Sequence, residues 1–201
     1  MLNLIVATGN RHKMEEMRSY LNIFPIILTS MKDFAEFPEI EETGQTFEEN
    51  VKIKALTCFD FFKHPVLADD SGLQIPALDN EPGVFSARYA GLAANDRENN
   101  RFLLQRMKDL KEEDRKARFN CTICFKDDQF EEIFTGITEG IILKDYRGRQ
   151  GFGYDPLFYI PELGKTYAEL TTEQKNAYSH RGKALQKLVK FLKQKRYFDL
   201  S

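Results

Sequence analysis

The chain has 201 residues, of which 42% are hydrophobic, and this size suits one compact domain or two lobes that share a core. Its 29 lysines and arginines nearly balance its 31 aspartates and glutamates, which leaves a net charge of −2. This balance argues against a protein held to nucleic acid or to a membrane by bulk charge, and also against a disordered chain.

The first third of the chain is predicted to alternate strands and helices. Residues 2–7 are apolar and predict a buried strand, which the turn residues 8–10 terminate. Apolar residues then recur at helical spacing between Met14 and Leu21, and residues 26–28 predict a second strand. A capping-box pattern at residues 46–49 begins another helix. The apolar face of that helix is predicted to contain Phe47, Val51, Ala55, Cys58 and Phe62.

The middle of the chain contains one more helix between short strands. Residues 66–68 predict a strand that ends at Asp69-Asp70-Ser71-Gly72. An amphipathic helix is predicted from Asn95 to about Leu110. Alternation of apolar and polar residues from Arg118 to Phe125 predicts a half-buried strand.

Strands then cluster before a final helix. Residues 130–135 and 137–143 predict two strands, so this part of the sheet is expected to be antiparallel. The last helix places its lysines on one face and its apolar side chains on the other, namely Leu185, Leu188, Val189 and Leu192. Early alternation of strands and helices followed by clustered strands predicts a mixed α/β fold in a single domain over residues 1–201.

The charges are unevenly distributed along the chain. Residues 33–49 contain seven acids and no base, whereas residues 174–198 contain eight bases and no acid. One interpretation is two solvated faces that each carry one sign of charge. The other is that the acidic stretch helps to hold a cation and the basic stretch helps to hold an anion, as a metal–phosphate substrate requires.

Two segments follow predicted strands and carry groups suited to phosphate chemistry. The turn at residues 8–13 leads into a helix, where backbone N–H groups, the helix dipole and a lysine favour an anion, although it could also be an ordinary turn and cap. The pair Asp69-Asp70 follows a buried strand, and only one of the two carboxylates is expected to face a given side. Such a carboxylate could bind Mg²⁺ or act as a base toward water, or both acids could cap a turn.

Two further segments could contact a ligand. The loop at residues 148–156 combines three glycines, two aromatic residues and an acid, which suits close contact with a base but also a bulge or hairpin. Ser179-His180-Arg181 begins the basic final helix, where a histidine is more often a cap or a packing residue than a base.

The cysteines, the apolar runs and the first ten residues together predict the cellular compartment. Cys121 and Cys124 lack a second pair at zinc spacing and would face opposite sides of a strand, so they are predicted to be structural. Three cysteines in total indicate a reducing compartment rather than a disulfide framework. No apolar run approaches the ~18 residues of a membrane span, and residues 1–10 do not resemble a signal peptide. We therefore expect a cytoplasmic protein without membrane or nucleic-acid partners.

Taken in order along nearly the whole chain, seven segments resemble the inosine/xanthosine triphosphate pyrophosphatases. They are TGNRHK (8–13), EETGQTFEENVKIKA (41–55), ADDSGL (68–73), PGVFSARYAG (82–91), ARFNC (117–121), GFGYDPLF (151–158) and KTYAELTTEQKNAYSHRGKAL (165–185). The resemblance implies Mg²⁺-dependent hydrolysis of ITP, dITP or XTP to the monophosphate and pyrophosphate. It also implies an elongated mixed α/β sheet with flanking helices, two lobes around a central substrate cleft, and a homodimer.

The resemblance also implies roles for individual residues. Asp70 would accept a proton and bind Mg²⁺, Asp69 would support it, and Glu41 is the expected second metal carboxylate, with Glu39 and Glu42 as alternatives. Lys13 would be both a catalytic group and a partner of the triphosphate. The other expected substrate contacts are Thr8, Gly9, Asn10, Arg11, His12, Lys54, Ser71, Phe152, Gly153, Tyr154, Asp155, Lys175, His180 and Arg181.

The expected reaction is attack of water on the α-phosphorus, with Lys13, Lys54 and Arg181 neutralising charge as pyrophosphate leaves. Hydrogen bonds to the O6 keto group would select hypoxanthine and xanthine over adenine. The alternatives are a Maf-like pyrophosphatase for pyrimidine or modified nucleotides, and a nucleotide-binding regulatory module without turnover. A nucleic-acid binder that uses the basic final helix is a third alternative, which the acidic stretch disfavours.

Overall fold

A computed structural model describes residues 1–198 and has a mixed α/β architecture, as the sequence predicts. The strands are β1 (Leu2–Ala7), β2 (Ile26–Ser30), β3 (Val66–Ile75), β4 (Glu81–Pro82), β5 (Lys116–Lys126), β6 (Glu131–Ile142), β7 (Phe158–Ile160) and β8 (Lys165–Thr166). The helices are α1 (Arg11–Leu21), α2 (Phe47–Phe62), α3 (Asp96–Arg106), α4 (Thr172–Tyr178) and α5 (His180–Gln194).

The eight strands form one mixed sheet in the order β2-β1-β3-β5-β6-β7-β8, with β4 paired to β3. β1 runs parallel to both neighbours, with Leu2 opposite Ile26 on one side and Ile5 opposite Val66 on the other. β7 is antiparallel to β6 and to β8, and the sequence predicted neither of these two short strands. The parallel pairing of β1 with β3 ends at Ala7 and Ala68, so the residues that follow these two positions lie close together.

The chain forms two compact units, each assembled from separate segments. Within the described residues, the first contains residues 1–70, 121–136 and 180–198, and the second contains residues 71–120 and 137–179. The core of the second unit includes Leu73, Leu103 and Phe158.

Alternation along the strands divides the first unit into two cores. Leu4, Val6 and Leu67 pack with residues of α1 and α5, whereas Ile5, Ala7, Val66 and Ala68 pack with residues of α2. Because successive strand residues point to opposite faces, each strand contributes to both cores. Because of the same alternation, the two residues that follow Ala68 on β3 point in turn toward α1 and α5 and toward α2.

The prediction that a strand ends before Asp69 is wrong, because β3 continues through the acid pair to Ile75. Gln74 and Ile75 pair with β4, and the backbone N–H of Leu73 donates to Ser86 Oγ at 2.9 Å. Hydrogen-bond partners outside the strand therefore hold the segment extended. The interpretation of both acids as caps of a turn is likewise wrong.

The predicted break between two strands at Gly136 is also wrong, because β6 runs unbroken across it. A Cβ atom at this position would lie 2.0 Å from the carbonyl oxygen of His180 and 2.6 Å from the backbone nitrogen of Ala184. The glycine thus permits close contact between the strand and α5 rather than ending the strand.

Two smaller predictions need correction. α3 ends at Arg106 rather than near Leu110, and Met107 fills the core beyond its end. β5 is buried on both faces from Cys121 to Phe125, not half-buried, because a core lies on each side of the sheet there. As predicted, Cys121 and Cys124 face opposite cores.

No helix within residues 1–198 is both long and apolar enough to span a membrane.

The three cysteines are predicted to be unreactive in the folded protein. All three are free and buried, and burial raises the pKa of Cys58 and of Cys124 to about 12 and that of Cys121 as well. A chromogenic disulfide reagent at pH 8 should therefore titrate no thiol in the native protein and three after unfolding in guanidinium. Stoichiometric labelling of the native protein would contradict this burial.

Candidate active site

The turn at residues 8–10 joins β1 to α1 and is held by its own side chains. Asn10 is the N-cap of α1, and its Oδ1 accepts hydrogen bonds from the backbone N–H groups of His12 (2.9 Å) and Lys13 (3.2 Å). Thr8 Oγ1 accepts from the Asn10 backbone at 3.2 Å. An anion at this helix end would compete with the Asn10 side chain for these two donors. Triphosphate binding here stays a prediction.

Gly9 allows a side chain from another element to lie against the turn. A Cβ atom on Gly9 would lie 2.7 Å from Cε of Lys32, so the glycine lets the end of this lysine side chain lie against the turn. Lys32 adds an ammonium group near the turn that the sequence reasoning did not single out.

Arg11 and His12 lie on the exposed side of α1. Arg11 Nε donates to Glu15 at 2.8 Å, and its side chain is 89% exposed. His12 Nδ1 lies 3.6 Å from the other oxygen of Glu15. In this conformation both bases are grouped with Glu15, and their predicted contact with substrate stays a prediction.

Asp69 is the centre of a buried charge cluster. Its side chain is fully buried, and Lys13 Nζ lies 3.1 Å from Oδ1. Arg181 donates to Oδ2 through Nε (3.2 Å) and Nη2 (3.1 Å), and its Nη1 bonds Glu16. Asp69 points to the same side of β3 as Leu67, toward α1 and α5, which supply the two cations.

The cluster shifts the pKa of each member toward its charged form. Burial alone would raise the pKa of Asp69, but Lys13 and Arg181 outweigh it and hold that pKa below its ordinary value. Burial would lower the pKa of Lys13 and of Arg181, but attraction to Asp69 raises both. All three groups are therefore ionised at neutral pH. Arg181 is buried and already bound to two carboxylates, so its direct contact with phosphate stays a prediction.

Asp70 faces the opposite side of the strand and meets α2. Asn50 Nδ2 donates to Asp70 Oδ2 at 3.3 Å, and Lys54 Nζ lies 3.6 Å from Oδ1. Burial raises the pKa of Asp70, against the opposing pull of Lys54 and Lys13. The adjacent carboxylates thus differ sharply, because one is neutralised by two buried cations and the other is held as a stronger base.

The acidic stretch brings Glu42 to this group. Lys54 Nζ lies 3.2 Å from Glu42 Oε2, so one ammonium contacts two carboxylates, those of Glu42 and Asp70. Glu39, Glu41 and Glu42 all lie in an exposed stretch, and Glu42 pairs with the lysine that also contacts Asp70. Among the three candidates for a second metal carboxylate, the geometry therefore favours Glu42 over Glu41.

A second candidate group lies in the second unit, on the loop between β6 and β7. Asp155 Oδ2 accepts hydrogen bonds from Phe152 N (3.0 Å) and from Lys175 Nζ (2.6 Å). Lys175, on α4, also lies over the Phe152 ring, 5.1 Å from its centroid. An ammonium beside an accessible aromatic face suits a ligand with a flat ring and a hydrogen-bond acceptor.

Tyr154 and two glycines shape this loop. Tyr154 is buried, and its hydroxyl donates to the Ser86 carbonyl at 2.9 Å, which makes it an anchor for the loop. Gly151 has φ +81°, and a Cβ there would lie 2.0 Å from Asp155 Oδ2. Gly153 has φ +58°, a conformation that favours glycine. The loop is a tightly held segment within the long connection between the antiparallel strands β6 and β7, so the alternative interpretation as part of a hairpin is compatible with the structure.

The basic stretch contributes few of its charges to either group. Lys175 and Arg181 make the contacts described above, whereas Lys187, Lys190 and Lys193 on α5 are exposed. Most of the stretch is therefore the solvated face that the first interpretation expected. His180 begins α5 and is buried, and Ser71 lies directly after Asp70 on β3, but a substrate role for either stays a prediction.

Sequence reasoning missed Asn50 and Glu16. Asn50 is 1% exposed and lies on the apolar face of α2 between Phe47 and Lys54, at spacings of three and four residues. A polar residue at a core position of an amphipathic helix is a signal that could have identified it. Glu16 carries no comparable local signal, since only its contact with Arg181 gives it a role.

Comparison with known proteins gives consistent matches. The model of the Ham1 family matches residues 4–191. A dITP/XTP pyrophosphatase of Geobacter sulfurreducens is 48% identical over 92% of this chain and 94% of its own length. One of Listeria monocytogenes is 45% identical over 96% of this chain and 95% of its own. The solved structure of a HAM1 protein from Coxiella burnetii covers 96% of this chain and all of its own, with 43% identity and a TM-score of 0.87.

Removal of the Asp69 charge should strongly destabilise the fold. Asp69→Asn leaves the fully buried Arg181 and the largely buried Lys13 without their central counter-charge, which should cost about 3–5 kcal/mol in the free energy of unfolding. Urea denaturation measures this loss. Glu15→Gln, which weakens only exposed pairs on α1, is the control and should leave the midpoint unchanged. A similar midpoint for both variants would contradict the central role of Asp69.

Proposed function

The chain belongs to the Ham1 family, and on this premise we propose that it hydrolyses non-standard purine nucleoside triphosphates such as dITP, ITP and XTP to the monophosphate and pyrophosphate. Two relatives that match over most of its length are named dITP/XTP pyrophosphatase, which supports this substrate class. A preference for pyrimidine or modified nucleotides, as in Maf-like enzymes, is not favoured.

The observation that carries this proposal is the pair of buried carboxylates on β3. Asp69 and Asp70 face opposite sides of the strand, and Lys13, Lys54 and Arg181 surround them within 3.6 Å. Three cations around two acids suit a substrate that is a polyanion accompanied by a divalent cation. A purely structural ion pair would not need the second carboxylate, which is costly to bury.

The residues present fit a bound Mg²⁺. Glu42 and Asp70 both contact the Lys54 ammonium, so a cation already lies against these two carboxylates. Mg²⁺ is typically bound by one or two carboxylates together with water and substrate phosphates. When bound here, Mg²⁺ would neutralise phosphate oxygens and activate water as a Lewis acid. We propose Glu42 and Asp70 as its ligands.

In the proposed reaction, the residues of this chain serve as proton acceptor, as orienting group and as sources of positive charge. Asp70 accepts a proton from the attacking water. Asn50 holds one oxygen of that carboxylate and so orients the other. Lys13 and Lys54 carry positive charge beside the acid pair and stabilise the negative charge that develops on the departing pyrophosphate.

Base selection is proposed to depend on Phe152, Lys175 and Asp155. The Phe152 ring offers a face for stacking, and the lysine lies over it as a donor without acceptor capacity. A donor of this kind complements the O6 keto group of hypoxanthine or xanthine but not the amino group of adenine. An unpaired buried polar group costs ~1–3 kcal/mol, which corresponds to roughly fivefold to 150-fold discrimination.

We further propose that the enzyme is a homodimer in the cytoplasm. Exposed apolar side chains such as Phe85 and Leu92 support a subunit interface, and three free cysteines support a reducing compartment. Sedimentation velocity at micromolar concentration tests the dimer, and a single monomeric species would exclude it.

A substrate panel tests the reaction. With Mg²⁺ present, purified protein should cleave ITP, dITP and XTP at least about tenfold more efficiently than ATP, GTP or TTP, because only the first group combines a keto O6 with an acceptable C2 substituent. Chromatography should identify the monophosphate and pyrophosphate as products. Equal rates across the panel, or release of orthophosphate with a diphosphate, would refute the proposal.

Asp70→Asn tests the proposed base. The substitution preserves shape and can still accept the hydrogen bond from Asn50, but it removes the proton acceptor and one metal ligand. We expect kcat to fall by about 10²-fold or more, with an unchanged circular dichroism spectrum. Asp60→Asn, an exposed carboxylate on α2, is the matched control and should retain full activity. Retention of activity by Asp70→Asn would show that its assigned role is wrong.

A further inference from the structure

The loop at residues 148–156, called the base loop below, is bound at Gly153 by two side chains from the N-terminal part of α3. Asp96 Oδ2 accepts a hydrogen bond from the Gly153 backbone N–H at 2.6 Å. Asn100 Nδ2 donates to the Gly153 carbonyl at 2.8 Å. We propose that Asp96 and Asn100 are positioning residues that fix the base loop and set the selectivity among purines, an inference that rests on the proposed function.

The two side chains act together because of their spacing. Residues four apart on a helix lie side by side, so Asp96 and Asn100 reach the two polar groups of one residue. Gly153 has φ +58°, and nothing lies within 4 Å of where its Cβ would be. The turn at Gly153 is therefore held by these two hydrogen bonds rather than by steric packing around its α-carbon.

The helix α3, which carries Asp96 and Asn100 (together called the clamp), is itself held in place by several contacts. Asn95 caps the helix in a reciprocal capping box with Glu98. Asn99 donates to the Ala87 carbonyl at 3.1 Å and accepts from the Ala90 backbone at 2.8 Å. Farther along, Leu103 is fully buried in the core of the second unit. These contacts make α3 a rigid support for the loop.

A fixed Gly153 restricts both of its neighbours. Phe152 provides the proposed stacking face, and Tyr154 is already anchored to the Ser86 carbonyl. Lys175 holds Asp155 on one side of the base loop. The clamp holds Gly153 on the side that faces α3. Guanine differs from hypoxanthine only by an amino group at C2. Exclusion of guanine by shape therefore requires a base loop that does not move to make room for this group. We expect the clamp to supply that stiffness.

The test compares Asp96→Ala, Asn100→Ala and Asp96→Asn with Arg97→Ala. Each alanine variant should lower the ratio of kcat/KM for ITP to that for GTP by about threefold to tenfold, as expected for the loss of one hydrogen bond. For ITP, KM should rise while kcat changes less than about twofold. Asp96→Asn retains an acceptor and should preserve most of the ratio. Arg97→Ala, an exposed site on the same helix, should behave as wild type.

Inhibition by inorganic pyrophosphate separates this effect from general damage. A variant with a loosened base loop should keep the pyrophosphate inhibition constant of wild type, because the two hydrogen bonds of the clamp go to Gly153 in the base loop. An ITP/GTP ratio within about twofold of wild type in both folded alanine variants would overturn the proposal. If Asn100→Ala, a buried site, does not fold, then Asp96→Ala alone decides.

Failure of the proposed function would remain distinguishable from failure of the clamp. If wild type does not cleave ITP, the proposed function is wrong. The clamp is then measured by calorimetry, as the ratio of inosine monophosphate to guanosine monophosphate affinity. A lower ratio in Asp96→Ala than in wild type would support the inference, and an equal ratio or the absence of binding to wild type would overturn it.

Discussion

The Asp69 carboxylate is buried between the ammonium of Lys13 and the guanidinium of Arg181, and the first unit depends on this interaction. A carboxylate removed from water is very costly unless opposite charges and hydrogen bonds compensate it. The compensation comes from α1 on one side and from α5 on the other. The acid thus fixes both helices relative to β3, and Glu16 balances the remaining charge of Arg181.

Compensation of the Asp69 charge also allows a second buried acid, Asp70, to follow it directly on β3. Two unpaired carboxylates in succession would repel each other, but they diverge to opposite faces of β3, and the first is offset by two cations. Asp70 is left with a different environment, consisting of Asn50, Lys54 and Glu42 from α2 and the acidic stretch. A strand that alternates faces therefore gives two adjacent acids different environments, one paired with Lys13 and Arg181 and the other beside Asn50 and Lys54.

Side chain to backbone hydrogen bonds hold the irregular segments in both units. Asn50 accepts from the Gly44 backbone at 2.8 Å while it donates to Asp70, which ties the acidic stretch to the acid pair. In the second unit, Asp96 and Asn100 hold Gly153 in the same manner. In each case a polar side chain on a well-capped helix substitutes for the ladder of a strand.

The sequence by itself determined the local elements and the family resemblance. The capping box at Thr46, the helical spacing of α1 and the opposite faces of Cys121 and Cys124 all depend on near neighbours, and the structure confirms them. The continuity of β3 and β6 depends instead on distant partners, and the sequence predicted it wrongly.

Only the tertiary structure decided which charges meet. Arg181 lies 112 residues from Asp69 in the chain, and Lys54 contacts Glu42, the last of three nearby glutamates in an exposed stretch. A local pattern identifies a carboxylate or an ammonium as a candidate, but the partner that neutralises it is chosen by the way strands and helices pack. The pKa and the accessibility of each group follow from that partner, and so does its role.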